Sequence, residues 1–303
     1  MPVALEKSAN IEIENKLIHV NNVDKLLWPE AGITKIQFIK EMVQLAPYIL
    51  KYGGNRLVST IRYPHGISGK SFYQKSIPKN APDYIGSNIF HDKEYIVLEN
   101  AASLVWLCSM ACLEFHVAFN TCDKPDYPSY LVFDLDPSEE NNFESVKEVA
   151  LSIRETMEAL ALESFIKTSG ATGLQIFIPT NARYDYDNAR SLNLFFAEYF
   201  VEKMPRILTI ERFKAKRGGK IYFDYLQMWQ GKSLIAPYST RAVETANVSM
   251  PLDWDELEGV RPSDFTIKNA VKRLHSKGDM FSDMFLCKNE PLDEILKTIK
   301  KGR

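Results

Sequence analysis

Four cysteines are few for 303 residues, and none of Cys108, Cys112, Cys122 and Cys287 forms a CxxC pair. That excludes a dense disulfide framework and a zinc site built from cysteine pairs, and reduced, buried thiols are expected. Long hydrophobic runs are missing too. The longest, Ala101 to Leu113, falls short of the roughly 20 residues a membrane span needs. The N-terminal MPVALEKSAN lacks the apolar core of a signal peptide, so a cytoplasmic protein is expected. Neither sign of charge dominates: 37 basic and 39 acidic residues leave a net charge of −2, so any nucleic-acid surface has to be local. There are no internal repeats, no low-complexity tracts and no Gly/Ser/Pro linker to mark a firm domain boundary. What remains, 45% hydrophobic and 25% charged residues, is the make-up of a soluble globular enzyme. The length suits one large domain or two small ones.

Helical spacing appears three times. Ile36, Ile39, Val43 and Ala46 follow a Thr34 cap. Val146, Val149, Ile153, Met157 and Leu160 make a second stripe, and Leu192, Phe195, Phe196, Tyr199 and Phe200 a third behind Asp187. Asn100 to Leu113 reads as a buried helix, with Cys108 and Cys112 on one of its faces. Strand-like runs are Leu57–Arg62, Tyr95–Leu98, Tyr130–Asp136, Phe165–Thr168, Leu174–Ile178, Ile221–Leu226 and Ser233–Ala236. Their interleaving with helices predicts a mixed α/β architecture. The stretch 248–262 is the least regular, and the terminal KTIKKGR reads as a solvated tail.

Three stretches carry candidate chemistry. In YLVFDLD (130–136), Leu131, Phe133 and Leu135 alternate into a core, while Val132, Asp134 and Asp136 share the other face. The two carboxylates then stand about 6–7 Å apart along the strand. They are either solvated at the turn that Pro137 makes or ligands for Mg²⁺ or Mn²⁺, cations that suit oxygen donors and substrate phosphates. FIKTSGATGLQIFIP (165–179) is strand, turn and strand. Its Gly170 and Gly173 permit either a plain hairpin or a turn whose amides, with the Thr168 and Ser169 hydroxyls, face an anion. In GGKIYFDYLQ (218–227) a lone Asp224 interrupts an aromatic strand, where a carboxylate calls for a cation or a metal. Residues 203–220 before it carry seven basic side chains against one acid, Glu211. That run is a solvated face or, beside three candidate metal ligands, a surface that tracks phosphates.

Taken in order, these stretches resemble the archaeo-eukaryotic primase superfamily, and more closely the polymerase domain of bacterial DNA ligase D, an enzyme of non-homologous end joining. The resemblance runs through VDKLLWPEAGITK (23–35), VSTIRYPHGISGKSFYQKSIPKNAPDYI (58–85), CLEFH (112–116), FDLDPS (133–138), KTSGATGL (167–174) and FDYLQMWQGKSLIAPYSTRA (223–242). It implies a primase-like fold of central antiparallel or mixed sheets flanked by helices, with catalytic carboxylates on strands. It also implies a single domain, 1–303, in which residues 1–125 carry a 5′-phosphate pocket and residues 126–303 form the catalytic core. Asp134, Asp136 and Asp224 become metal-binding catalytic residues for two ions, Mn²⁺ or Mg²⁺. His116, Ser169, Gly170, Thr172, Gln175, Gln227 and Arg241 become nucleotide contacts, Arg241 as a planar fork for phosphate oxygens. Asn22, Lys25 and Lys35 match a pocket for a downstream 5′-phosphate. Phe72 and Tyr73 match an aromatic pair that stacks on template bases, and Arg217 a loop residue that engages the template or its synaptic partner.

Plainer readings stand beside these. His116 fits an ordinary histidine at the end of an apolar helix, Gln227 a strand end, and Arg241 a surface ion pair. Lys25 and Lys35 fit solvated lysines, and one of Phe72 and Tyr73 a core position. The chain also departs from the family pattern, with Thr172 in place of a lysine and Gln175 in place of a histidine, which removes up to two positive charges from the triphosphate site. The expected activity is template-directed filling of short gaps at DNA double-strand breaks from NTP or dNTP, ribonucleotides preferred, on gapped DNA bearing a 5′-phosphate. A primase that starts chains without a primer and a module that holds DNA ends with little catalysis are the competing expectations. With no ligase or nuclease motif in the chain, a separate DNA ligase and a Ku-like end-binding protein are the partners implied, in a nucleoid-associated setting away from any membrane.

Overall fold

The computed structural model describes residues 7–138 and 143–302; residues 1–6, within MPVALEKSAN, and Arg303 of KTIKKGR lie outside the described residues. The backbone divides into two compact units. The first holds 1–118, 234–249 and 265–278, and the second 119–233, 250–264 and 279–303.

In the first unit a hairpin of β1 (Ser8–Ile13) and β2 (Lys16–Asn21) is followed by the short pair β3 (Leu26–Trp28) and β4 (Ile33–Thr34). Thr34 caps α1 (Lys35–Gly53) reciprocally: its hydroxyl accepts from the Gln37 N–H, and the Gln37 side chain returns to the Thr34 backbone. The buried face of α1 is Phe38, Ile39, Met42, Leu45, Ala46 and Ile49. Ile36 and Val43, expected in the same stripe, are only half-buried at its margin. Next come β5 (Leu57–Arg62), β6 (Phe72–Gln74), β7 (Gly86–Phe90), β8 (Lys93–Val97), α2 (Ala101–Ser109) and β9 (Cys112–Ala118). The apolar run expected as one helix breaks at Ala111, whose φ of 59° no helix can continue. Beyond it, alternating bulky residues pair with β5. Cys108 and Cys112 therefore sit on different elements, both buried, and burial pushes the Cys112 thiol up to about 12. Cys122 and Cys287 are only half-buried.

The second unit carries β10 (Tyr130–Asp136), α3 (Phe143–Ala159), β11 (Phe165–Thr168), β12 (Leu174–Pro179), α4 (Tyr186–Lys203), β13 (Leu208–Thr209) and β14 (Ile221–Phe223). The chain goes on through β15 (Ser233–Ile235), β16 (Pro251–Leu252), α5 (Ile267–Lys277) and α6 (Leu292–Lys301). Among the described residues one sheet runs β15-β9-β5-β8-β7, with β6 on β5, and the other β13-β14-β10-β12-β11-β16. The latter is antiparallel except for β13 against β14, so it is mixed. Lys297–Lys301, expected as tail, are the last turns of α6.

One face of β10 is sealed by aromatics. Phe133 meets Phe196, Phe200 and Phe223 at ring distances of 5.4, 6.4 and 5.0 Å. Asp185, not Asp187, caps α4. The buried arc of that helix centres on Ala189, Asn193 and Phe196, which leaves Phe195 and Tyr199 exposed on its flank. The strand expected over Ile221–Leu226 ends at Phe223, and Tyr225–Gln227 form a 3₁₀ turn.

The turn between β11 and β12 lies tight against β10: a Cβ on Gly173 would stand 2.3 Å from the Leu135 carbonyl oxygen. Gly173→Ala is expected to lower stability by roughly 1–3 kcal/mol, read as a fall in the urea midpoint. An unchanged midpoint would show that the turn yields freely.

Candidate active site

Strand register assembles the carboxylates. Leu135 faces Phe223 and Asp136 faces Tyr222 across β10 and β14, and the Asp224 N–H donates to the Asp134 carbonyl at 3.0 Å. The same register sets Asp224 opposite Asp134, on the face where directly opposed Cβ atoms stand about 4.5–5.5 Å apart. On the other side of β10, Asp134 faces Gln175, and Gln175 in turn faces Lys167 of β11. A row of four polar side chains therefore runs across β11, β12 and β10 to the residue that follows β14: Lys167, Gln175, Asp134, Asp224. Lys167 Nζ, wholly buried, donates to Gln175 Oε1 at 2.5 Å, and Gln175 Nε2 donates to Asp134 Oδ1 at 2.9 Å. Asp136 lies one step along the strand and is exposed. Burial and the neighbouring Asp136 raise the Asp134 carboxyl to about 8, with Asp224 adding to the rise and Gln175 and Lys167 opposing it. Asp224 accepts from the Tyr222 hydroxyl at 3.0 Å. Among the described residues no three His, Cys, Asp or Glu side chains form a group that could hold a metal ion as they stand. The oxygen-only donor set and the negative charge concentrated on one sheet face nevertheless fit a hard divalent cation.

In the glycine turn, Ser169 Oγ accepts from the Ala171 and Gly173 N–H groups, and Thr168 Oγ1 accepts from Met250 N–H. The Ser169 hydroxyl and those two amides thus close the turn, the Thr168 hydroxyl ties its base to Met250, and Gly170 (φ 75°) with exposed Thr172 forms its tip. Gln227 donates to the Ser233 carbonyl from the 3₁₀ turn, so it ends no strand. Arg217 lies over the Tyr222 ring at 3.9 Å and donates to the Glu211 and Arg212 carbonyls, which ties down the base of the basic loop.

In the first unit His116 stands on β9 rather than at a helix end. Arg241 is no surface pair: it donates to the buried Glu114 at 2.7 Å. Asn22 (φ 55°) turns the chain so that Lys25 N–H meets its carbonyl, and Lys35 N–H meets the Lys25 carbonyl. This gathers the three residues at the start of α1. Lys35 is buried rather than solvated, its ammonium donating to the Asn21 and Ser109 carbonyls; Lys25 Nζ donates to the Pro64 carbonyl. Phe72 and Tyr73, on β6, are 46% and 69% exposed, so neither is a core residue. The strand pairs along a single edge with β5, and Arg62 lies over the Phe72 ring.

A family described as LigD, primase-polymerase domain, matches residues 34–281. The chain belongs to that family. A bifunctional non-homologous end joining protein LigD of Bacillus subtilis is 36% identical over 94% of this chain and 47% of its own length. A multifunctional counterpart from Mycolicibacterium smegmatis is 28% identical over 94% of the chain and 38% of its own length. The chain therefore spans about half the length of the curated relatives it matches, or less. The solved polymerase domain of Mycobacterium tuberculosis ligase D, described as in complex with DNA, superposes with a TM-score of 0.81 at 27% identity. It covers 88% of this chain and 97% of its own. The mixed α/β arrangement, with sheets flanked by helices, is that of the LigD primase-polymerase fold. Among the described residues no helix is long and apolar enough to cross a membrane.

Two residues outside the expected set stand in this family member's polar clusters: Lys167, behind Gln175, and Glu114, beneath His116 and Arg241. Both are lone charges in apolar strands, the signal that singled out Asp224.

Because Asp134 holds its proton more tightly folded than unfolded, its ionisation subtracts stability as pH rises from the ordinary carboxylate value of 3.8 to about 8. Asp134→Asn is therefore expected to melt higher than wild type in EDTA. The gap should grow from small near pH 5 to about 2–5 °C near pH 8.5, as followed by calorimetry. A gap that does not widen with pH would refute the charge crowding.

Proposed function

We propose that the chain is a metal-dependent, template-directed nucleotidyltransferase that fills short gaps at broken DNA ends, with ribonucleotides preferred and a downstream 5′-phosphate recognised. One observation carries it: Asp224 opposite Asp134, with Asp136 a step away, on a sheet face of a LigD primase-polymerase. The names of its relatives, which describe non-homologous end joining, and the DNA complex of the similar Mycobacterium tuberculosis domain support the reading.

Asp134, Asp136 and Asp224 would hold the metal. Two bound ions, Mn²⁺ or Mg²⁺, would supply Lewis-acid activation of a primer 3′-hydroxyl and charge neutralisation on the triphosphate. Gln175 orients Asp134, and Lys167 lends the crowded face a positive charge. Ser169, Gly170, Thr172, Gln227, His116 and Arg241 are the nucleotide's contacts, a role that family membership supports. Lys25, Asn22 and Lys35 receive the 5′-phosphate, Phe72 and Tyr73 stack on bases, and Arg217 belongs to the loop that engages the template or its synaptic partner. A Ku-like end-binding protein and a separate ligase complete the repair. A second reading, a module that holds DNA ends, draws on Gln175: both ends of its amide are engaged within the sheet, where the family pattern has a histidine.

Gapped, 5′-phosphorylated DNA with Mn²⁺ and each NTP or dNTP should be extended by one or a few nucleotides, and Asp134→Ala should abolish extension. Lys25→Ala is expected to lose about tenfold of the preference for the phosphorylated gap. Binding without extension would leave the holding module, and extension without a primer would indicate a primase.

A further inference from the structure

One carboxylate in the first unit gathers two of the groups assigned to the nucleotide. Glu114 sits in β9 between Leu113 and Phe115, with its side chain only 6% exposed. Its Oε2 accepts from His116 Nε2 at 2.9 Å and from Arg241 Nη1 at 2.7 Å, and its Oε1 accepts from the Ala242 N–H at 3.0 Å. Burial opposes its charge, yet the hydrogen bond from His116 and the charge of Arg241 hold the carboxyl below its ordinary range. An ionised carboxylate only accepts, so His116 Nε2 must carry its proton toward Glu114, which fixes both tautomer and ring. The Arg241 fork is fixed through Nη1, and its buried Nε finds no acceptor among the described residues. Apart from Glu114 and His116 the strand is apolar, and its backbone pairing with β5 asks for no charge here.

We infer that Glu114 is a positioning residue for the incoming nucleotide: it sets the His116 ring and the Arg241 fork side by side, so that the substrate meets both already aligned. It touches no substrate itself and acts through those two side chains. The inference rests on the proposed function, in which His116 and Arg241 receive the nucleotide.

The test is steady-state kinetics of GTP addition opposite template C on gapped, 5′-phosphorylated DNA with Mn²⁺. Melting curves confirm that each variant is folded at the assay temperature. Glu114→Gln, which keeps shape but not charge, should raise KM for GTP about tenfold and leave kcat within about threefold. Glu114→Asp, which keeps charge but shortens reach, should give a smaller rise. If Glu114 works through Arg241, the double variant Glu114→Gln, Arg241→Ala should be no worse than Arg241→Ala alone. A rise in KM for Arg241→Ala with none for either Glu114 variant, or fully additive effects, would overturn the inference and leave the nucleotide reading intact. So would failure of both Glu114 variants to fold, since that would make the carboxylate a support of the fold. Unchanged KM in both His116→Ala and Arg241→Ala would instead remove the nucleotide reading itself.

Discussion

The antiparallel register between β10 and β14 is the constraint on which the acidic face depends. It sets Asp224 across from Asp134, while Asp136 follows on the same side of the strand. A slip of one residue would send those carboxylates to the opposite face and bring phenylalanines out in their place. What prevents the slip is on that other face, where Phe133, Phe196, Phe200 and Phe223 interlock. The aromatic core thus holds the strands in the arrangement that crowds the acids, a conflict that Gln175 and Lys167 only partly relieve.

Two buried carboxylates show opposite solutions to the same electrostatic problem. Glu114 has three donors and no acid pressing on it, and its proton affinity falls despite burial. Asp134 has one side-chain donor and two acidic neighbours, and its proton affinity rises. The first is satisfied within the protein and suits holding other groups in place. The second is left with a surplus of negative charge, which suits receiving a cation.

Much of this was legible in the chain because period-two patterns survive burial. Tyr130–Asp136 and Leu57–Arg62 have the expected bounds, and the facing of Asp134 and Asp136 follows from alternation alone. Cross-strand placement was not legible. That Asp224 lies opposite Asp134, and Lys167 behind Gln175, depends on register, which single strands do not encode. The break at Ala111 was hidden because an apolar run suits a buried helix and a buried strand equally. The role of Glu114 was not legible because two of its partners, Arg241 and Ala242, lie far along the chain. The outward turn of Phe195 and Tyr199 depends on which side of α4 meets the sheet.

The long loop that closes on Glu114 also has a bearing on how the protein is made. Arg241 and Ala242 follow it by 127 and 128 residues, and most of the second unit is translated in between. At typical elongation rates of 5–20 residues per second, the wait is about 6–25 seconds. Through that interval a nascent β9 carries an acid whose distal donors do not yet exist, so the polar corner around Glu114 is completed well after β5 and β8 have been translated.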